Sequence, residues 1–392
     1  MNRRHFLAAL GATASFGGFI PAIGRAAGAR DPRFVTIVLR GALDGLTAVP
    51  PIGDPNYADL RGKLAVTDAL PLDSMFGLHP SMSNFARQYK AGQALVIHAS
   101  ASPYRDRSHF DGQDVLESGM TGPGQTQSGW MNRFLLALPK EQRTNPRDLG
   151  IGAVTPLIIR GPAPVLGWAP QSLKPADANL PPRLLSLYQE SDPMLAGVLT
   201  EAMTTGKIAG GYSNMAGANG GPGDPQTMVA MAEGAAKLLA QADGPRICAL
   251  AFEGWDTHAQ ETTRLQRLLQ GLDGALAAFE TTLGPAWKDT AILVVTEFGR
   301  TAAGNGTQGT DHGTGAAAFL TGGAVKGGRV LADWPGLKAS QLYQNRDLAP
   351  TTDLRAVAKG LMTELYDVPA AALGTDIFPD SANVPAMKGL IA

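Results

Sequence analysis

The sequence predicts an α/β fold on a mostly parallel sheet, from three observations. Short, almost wholly apolar runs rich in aliphatic and β-branched residues recur along the chain: "FVTIVLR" from Phe34, "ALVIHAS" from Ala94, "RICALAF" from Arg246 and "AILVVT" from Ala291. Strands buried on both faces read this way. Segments with helical spacing lie between them. Each run ends abruptly in a polar loop that carries a carboxylate or a histidine, as strands do where they hand over to a binding edge.

The elements follow in order. "HPSMSNFARQYKAG" from His79 predicts a helix capped by Ser81 and closed by Gly92. "DPQTMVAMAEGAAKLLAQADG" predicts a helix opened by Asp224 and ended near Gly244. From Leu265, apolar side chains recur at Leu268, Leu269, Leu272, Leu276, Phe279 and Leu283, one face of a helix between two strand runs. "AAAFLTGG" reads as a further strand. Between Leu138 and Gly223 the pattern weakens into proline- and glycine-rich stretches. Residues 30–392 are therefore expected to form a single α/β domain with an insertion or cap around 139–223.

Composition narrows the function. The 392 residues carry a formal net charge of -1, which excludes the basic face of a nucleic-acid binder. The single cysteine, Cys248, lies in an apolar run and reads as a buried, inert thiol. Residues 1–29 read as a twin-arginine signal peptide: Arg3 and Arg4, then a weakly apolar Ala/Gly stretch, then Ala27 and Ala29 as a cleavage site. That stretch is too weak for a membrane span, and no later segment reaches the roughly 18 apolar residues a spanning helix needs. The expectation is an exported, periplasmic protein that uses the Tat export machinery.

The loops after the strand runs hold the chemistry. Asp44 follows the first. Ser108, His109, Asp111 and Asp114 follow the second. Asp256 and His258 follow the third, and Glu297 the fourth, with Asp311 and His312 beyond it in "GTDHG". Carboxylate oxygen and imidazole nitrogen are ligands for divalent metals. Asp44, Asp256, His258, Glu297, Asp311 and His312 are the candidate ligands, enough for one or two ions of zinc, calcium or manganese. Ser108, His109, Arg107 and Arg300 form the candidate catalytic group. Ser108 is the nucleophile, and Arg105, Arg107 and Arg300 are forks for an anionic group. Simpler readings exist: "WDTH" as a surface turn, Ser108 as a helix cap, Glu297 with Arg300 as a supporting ion pair. His79, before a proline, and His98, inside a strand, read as structural.

The ordered set "RGALDGL", "LHP", "RSHFDGQD", "GWMNR", "WDTH", "TEFGR", "GTDHG", "GGAVKGG", "WPGL" and "TTDLRAV", from about Arg40 to Val357, resembles the exported bacterial family catalogued as domain of unknown function 1501. That family is grouped with the alkaline phosphatase-like superfamily of phosphatases, sulfatases and phosphomutases. The resemblance implies an α/β/α sandwich, a metal held by Asp44, a nucleophile at Ser108, an Asp/His pair at Asp256 and His258, and a final ligand at His312. Two departures stand out. The superfamily's Asp and His are four apart, whereas Asp256 and His258 are two apart. Where it has Asp-His, this chain has Glu297 and Phe298. A single or altered metal follows better than a standard two-zinc pair. The function expected is an exported metal-dependent hydrolase of a small anionic, envelope-associated phosphate or sulfate ester. The alternative is a catalytically degenerate periplasmic binding or assembly protein on the same fold.

The leader reading has a direct check. Replacing Arg3 and Arg4 with lysine should leave the protein in the cytoplasm, measured as the fraction released with the periplasm; unchanged export would remove the twin-arginine assignment.

Overall fold

Eleven strands are described: β1 (Arg33–Arg40), β2 (Leu70–Pro71), β3 (Gly77–Leu78), β4 (Ala94–Ala101), β5 (Asp148–Ile151), β6 (Val165–Trp168), β7 (Ile247–Glu253), β8 (Thr290–Thr296), β9 (Ala316–Thr321), β10 (Arg329–Leu331) and β11 (Thr352–Asp353). They come from a computed structural model that describes residues 30–139, 148–152, 155–169, 180–209 and 223–392. The expected signal peptide, residues 1–29, lies outside the described residues. The unit from Pro32 to Ala392 is built on one sheet in the order β10-β4-β9-β8-β1-β7-β5-β6, with β11 also on β4. β2 and β3 form a separate small hairpin.

β1 is central and runs parallel to β7 on one side and β8 on the other. Its alternation splits the core. Val35, Ile37 and Leu39 face one layer with Cys248, Leu250, Ile292 and Val294; Phe34 and Val38 face the other with Ala249, Leu293 and Val295. The first layer is covered by helices Ser83–Lys90, Pro225–Leu239 and Glu261–Leu283, the second by Trp130–Ala137 and Leu354–Tyr366. This is the expected three-layer sandwich on a mostly parallel sheet. The helical face read from Leu265 to Leu283 is buried at every position named, each leucine contributing about 1.5–3 kcal/mol. Cys248 is buried, as expected. No helix among the described residues is long and apolar enough to cross a membrane.

One strand breaks the parallel pattern and matters most for the site. β9 is antiparallel to both β8 and β4. Its first residue therefore lies at the edge where β1, β4, β7 and β8 end. The loop 297–315 leaves β8 and returns to the same edge, so Glu297 and His312 both stay there.

One local expectation resolves differently. The helix after His79 begins at Ser83 and has no cap from Ser81. Its first amides are held instead by Asp273 of the helix Glu261–Leu283, which accepts from Asn84 N at 3.0 Å, Asn84 Nδ2 at 2.9 Å and Phe85 N at 2.8 Å. A neighbouring helix caps this one. The stretch around 139–223, expected as an insertion or cap, supplies β5 and β6 at the edge of the main sheet beside β7, and the helices Leu180–Ser191 and Pro193–Ala209. Asp224 caps its helix as expected, accepting from Thr227 N at 2.9 Å.

Asp273→Ala removes a buried charged acceptor from three N–H groups. It should cost about 2 kcal/mol, read as a lower urea midpoint at unchanged slope.

Candidate metal centre

The carboxyl ends of β1, β4, β7 and β8 and the start of β9 gather the polar residues at one edge. His109 opens the helix His109–Ser118 that follows β4. Asp256 and His258 follow β7, Glu297 follows β8, and His312 precedes β9. The glycines around His312 allow a close approach. Arg300 bridges His312 in antiparallel fashion, Gly313 N donates to Gly299 O at 2.8 Å, and Thr301 N donates to Asp311 O at 2.9 Å. A Cβ on Gly313 would collide with the Arg300 carbonyl, and one on Gly309 with the carbonyl of His258. That packing is why the imidazole sits in a bed of glycine and threonine.

Three imidazoles are held from behind. His109 Nδ1 lies 2.9 Å from Glu297 Oε1, His258 Nδ1 lies 3.2 Å from Asp311 Oδ1, and His312 Nδ1 lies 3.0 Å from the carbonyl of Arg107. All three partners accept, so each Nδ1 carries a proton and donates it. That leaves the Nε2 atoms facing one another: His109 to His312 at 2.9 Å, and His258 to His312 at 3.0 Å. Asp256 completes the group, with Oδ2 at 3.5 Å from His109 Nε2 and Oδ1 at 3.0 Å from His258 Nε2 and 3.3 Å from His312 Nε2. Lone pairs so placed repel unless a proton or a metal lies among them.

His109, Asp256 and His312 form a compact triangle of donors, all within 4.8 Å of one another. A tetrahedral ion with bonds near 2.0 Å has ligand edges of roughly 3.3 Å. The donor set therefore fits zinc or a similar ion, and the carboxylate or carbonyl behind each ring is the usual support for metal-binding histidines. His258 stands beside two of the three donors. Asp256 and His258 are each over 40% exposed, so the group opens to solvent.

Electrostatics agree. Hydrogen bonds to Asp256 and Glu297 outweigh burial and raise His109 to about 9, so without metal it carries the proton between these carboxylates. Burial alone would raise Asp256, but His109, His312 and Arg300 hold it well below the usual carboxylate range. Glu297 is fully buried, and hydrogen bonds from His109, Gln113 and Gly41 N keep it ionised against the burial that would raise it.

The other residues expected at the site take different places. Glu297 and Asp311 support imidazoles from behind and do not face the donor triangle. His109, grouped with the catalytic residues, aims its Nε2 into the triangle. Asp44 is buried away from it. It caps the short helix Gly45–Ala48 through Thr47 N at 3.0 Å and pairs with Arg61 Nη2 at 2.7 Å. Arg61 also meets Glu261 at 3.3 Å. Burial and the nearby Asp44 carboxylate push Glu261 up to about 8; burial would raise Asp44 too, but Arg61 holds it below its ordinary range. One guanidinium thus lies between two buried acids, and breaking such a pair costs about 3–5 kcal/mol. Neither Arg61 nor Glu261 stands out in the sequence, since no motif surrounds them.

The three arginines read as forks are committed to scaffolding. Arg300 donates to Asp256 at 2.6 Å and to Thr310, and it pairs with Asp256 where a Glu297 partner was the simpler reading. Arg107 is bound to Asp347 and Gln344, and Arg105 to the carbonyls of Ser102 and Tyr104. Arg107 adopts φ +63°, a strained conformation that sits next to the carbonyl held by His312. Ser108 is the N-cap residue before His109, but its side chain makes no capping bond. His98 is buried in β4, its Nε2 2.9 Å from Val49 O, and burial lowers it to about 4; His79 accepts from Ser81 N. Both are structural, as read.

The family model described as "Protein of unknown function (DUF1501)" matches residues 31–371. The chain belongs to this family. No curated protein matches the sequence. Among solved structures, Ps i-CgsB in complex with k-i-k-neocarrahexaose is similar at a TM-score of 0.40 and 11% identity, over 90% of this chain and 77% of that one. A mutant TAB5 alkaline phosphatase with Mg bound is similar at a TM-score of 0.39 and 12% identity, over 75% of this chain and 92% of that one. The phosphonate monoester hydrolase of Agrobacterium radiobacter gives 0.32 and 11%, over 85% and 73%.

The pH behaviour has a definite sign. The folded pKa of His109 lies above the ordinary value near 6.5. Its contribution to the metal-free protein is fully present below that value and is lost as pH rises through about 9. Melting in EDTA should therefore weaken from pH 7 to 9. Zinc binding must displace this proton, so calorimetry at pH 7 in buffers of different ionisation enthalpy should show close to one proton released per ion. Release of none would remove His109 from the ligand set.

Proposed function

We propose that this protein is an exported, metal-dependent hydrolase of a phosphate or sulfate ester. The observation that carries the reading is the convergence of His109 Nε2, His312 Nε2 and Asp256 on one solvent-open point, with each imidazole fixed from behind. The ester class rests on the motif resemblance to the alkaline phosphatase-like superfamily. Export to the periplasm rests on Arg3, Arg4 and the alanines before Arg30.

When bound, the ion supplies positive charge against an ester oxygen and lowers the barrier to forming the nucleophile. The chain's own residues do the rest. Ser108 sits beside His109 at a helix start, its hydroxyl unused in capping. The first-turn amides of that helix favour an anionic oxygen. With Arg105, Arg107 and Arg300 tied into the scaffold, these amides meet charge that guanidinium forks would otherwise meet. Ser108 Oγ passes its proton to solvent as it bonds to phosphorus or sulfur. The bond to the ester oxygen breaks, and that oxygen takes a proton from solvent and leaves as the alcohol. Water then frees Ser108 and releases the inorganic anion. The substrate is a small anionic ester or one attached to the cell envelope.

A second reading has one observation in its favour: no guanidinium among the three expected forks is free. On that reading the protein binds its metal and an envelope partner without turnover.

One set of measurements separates them. Metal content and hydrolysis of p-nitrophenyl phosphate and p-nitrophenyl sulfate are measured on the wild type, on EDTA-treated protein and on Ser108→Ala. The hydrolase reading expects EDTA to abolish turnover, and Ser108→Ala to lower it by about 10³ with metal retained and stability changed by under ~1 kcal/mol. A wild type that holds metal and turns over neither ester supports the second reading.

A further inference from the structure

We infer that Arg61 is a built-in cation at this edge, so that the centre takes one divalent ion and not two. This rests on the metal reading of His109, Asp256 and His312. The acids on the edge are numerous enough for two ions, yet they divide into two groups of different character. One group is the solvent-open imidazole triangle. The other is a closed oxygen cage around Arg61.

In the cage, Asp44 and Glu261 both reach Arg61 Nη2, at 2.7 and 3.3 Å. Thr47 Oγ1 accepts from Arg61 and donates to Glu261 at 3.1 Å. Thr257 and Thr310 bring two more hydroxyls to Glu261 Oε2. Arg61, Asp44 and Glu261 are each at most 2% exposed. Two carboxylates with several neutral oxygens are the donors that a hard divalent cation selects. Here that place holds a guanidinium anchored by Nη1 to the carbonyls of Thr301 and Ala302, at 3.3 and 3.2 Å. Its Nε is buried without a partner, so the head is seated by the acids and not by full satisfaction of its donors. A covalently held charge cannot exchange, and it excludes an ion from the same oxygens by volume and repulsion.

The cage is also wired to the open centre. Thr310 Oγ1 donates to Glu261 and accepts from Arg300 Nε at 3.2 Å, and Arg300 Nη1 donates to Asp256 at 2.6 Å. Arg61 is thus linked to the open centre through Glu261, Thr310 and Arg300.

The test counts ions per chain by elemental analysis after dialysis against zinc or manganese and removal of free metal. The wild type and Arg61→Lys are expected to hold one ion. Arg61→Ala is expected to hold two, and Arg61→Ala combined with His312→Ala to keep the cage ion. A wild type with two ions overturns this inference and leaves the metal reading intact. A wild type with none overturns the metal reading and this inference with it. A folded Arg61→Ala that still holds one ion also overturns it. If Arg61→Ala is recovered only when manganese is present during purification, the cage has accepted an ion in place of the guanidinium. If it folds in neither condition, the counts on the wild type and Arg61→Lys still decide.

Discussion

The carboxylate of Asp256 is the point on which the centre depends. Its Oδ1 meets Arg300 at 2.6 Å, His258 at 3.0 Å and His312 at 3.3 Å, while Oδ2 faces His109 at 3.5 Å. These partners come from the loops after β4, β7 and β8 and the approach to β9. A single side chain therefore couples three connections that are remote in sequence: those after β4 and β7, and the loop from β8 to β9. Hydrogen bonds from His109, His312 and Arg300 hold the carboxylate ionised against burial. Arg300 supplies positive charge from the buried side. On the metal reading, the solvent side is where an ion would bind.

Topology makes the gathering possible. Parallel strands all present their carboxyl ends at one edge, which accounts for Asp256 after β7, Glu297 after β8 and His109 after β4. His312 needs a different device, because it precedes a strand. The antiparallel run of β9 brings that strand's start to the same edge, and the close ladder of Gly299–Thr301 against Asp311–Thr314 keeps the return tight. The glycines are therefore part of how His312 reaches its place.

Much of this was legible in the sequence, for a physical reason. Fully buried strands and a one-sided helix impose periodicity that can be read directly, so β1, β4, β7, β8 and the helix Glu261–Leu283 were all visible. The rule that ligands lie beyond strand ends named Asp256, His258, Glu297, Asp311 and His312 together. It could not rank them, because residue type does not tell whether a carboxylate faces a metal or supports an imidazole from behind. Asp44 shows the limit most clearly. Its position after β1 is right for a ligand, but its partner is Arg61, in a short helix seventeen residues on, with ordinary neighbours. The cap on the helix Ser83–Lys90 was hidden similarly: Asp273 is far away in sequence, while the nearby Ser81 has the right chemistry and the wrong geometry. β5 and β6 were missed because a proline-rich, glycine-bearing stretch carries little alternation to read.

The supports behind the imidazoles differ in a way that orders the donors. His109 is backed by Glu297, which is fully buried and bonded to Gly41 N and Gln113, and its ring stacks on Phe298 at 5.0 Å between centroids. His312 is backed by the main-chain carbonyl of Arg107, whose φ is +63°. Neither ring can turn without disturbing buried structure. His258 is 44% exposed, and its support, Asp311, is 52% exposed and held by Asn305. Two rings and Asp256 thus form a preorganised seat, and the third ring is the donor with room to move. That asymmetry suits the proposed metal centre: rigid donors would retain an ion, and the donor at the solvent side could yield its place to a ligand.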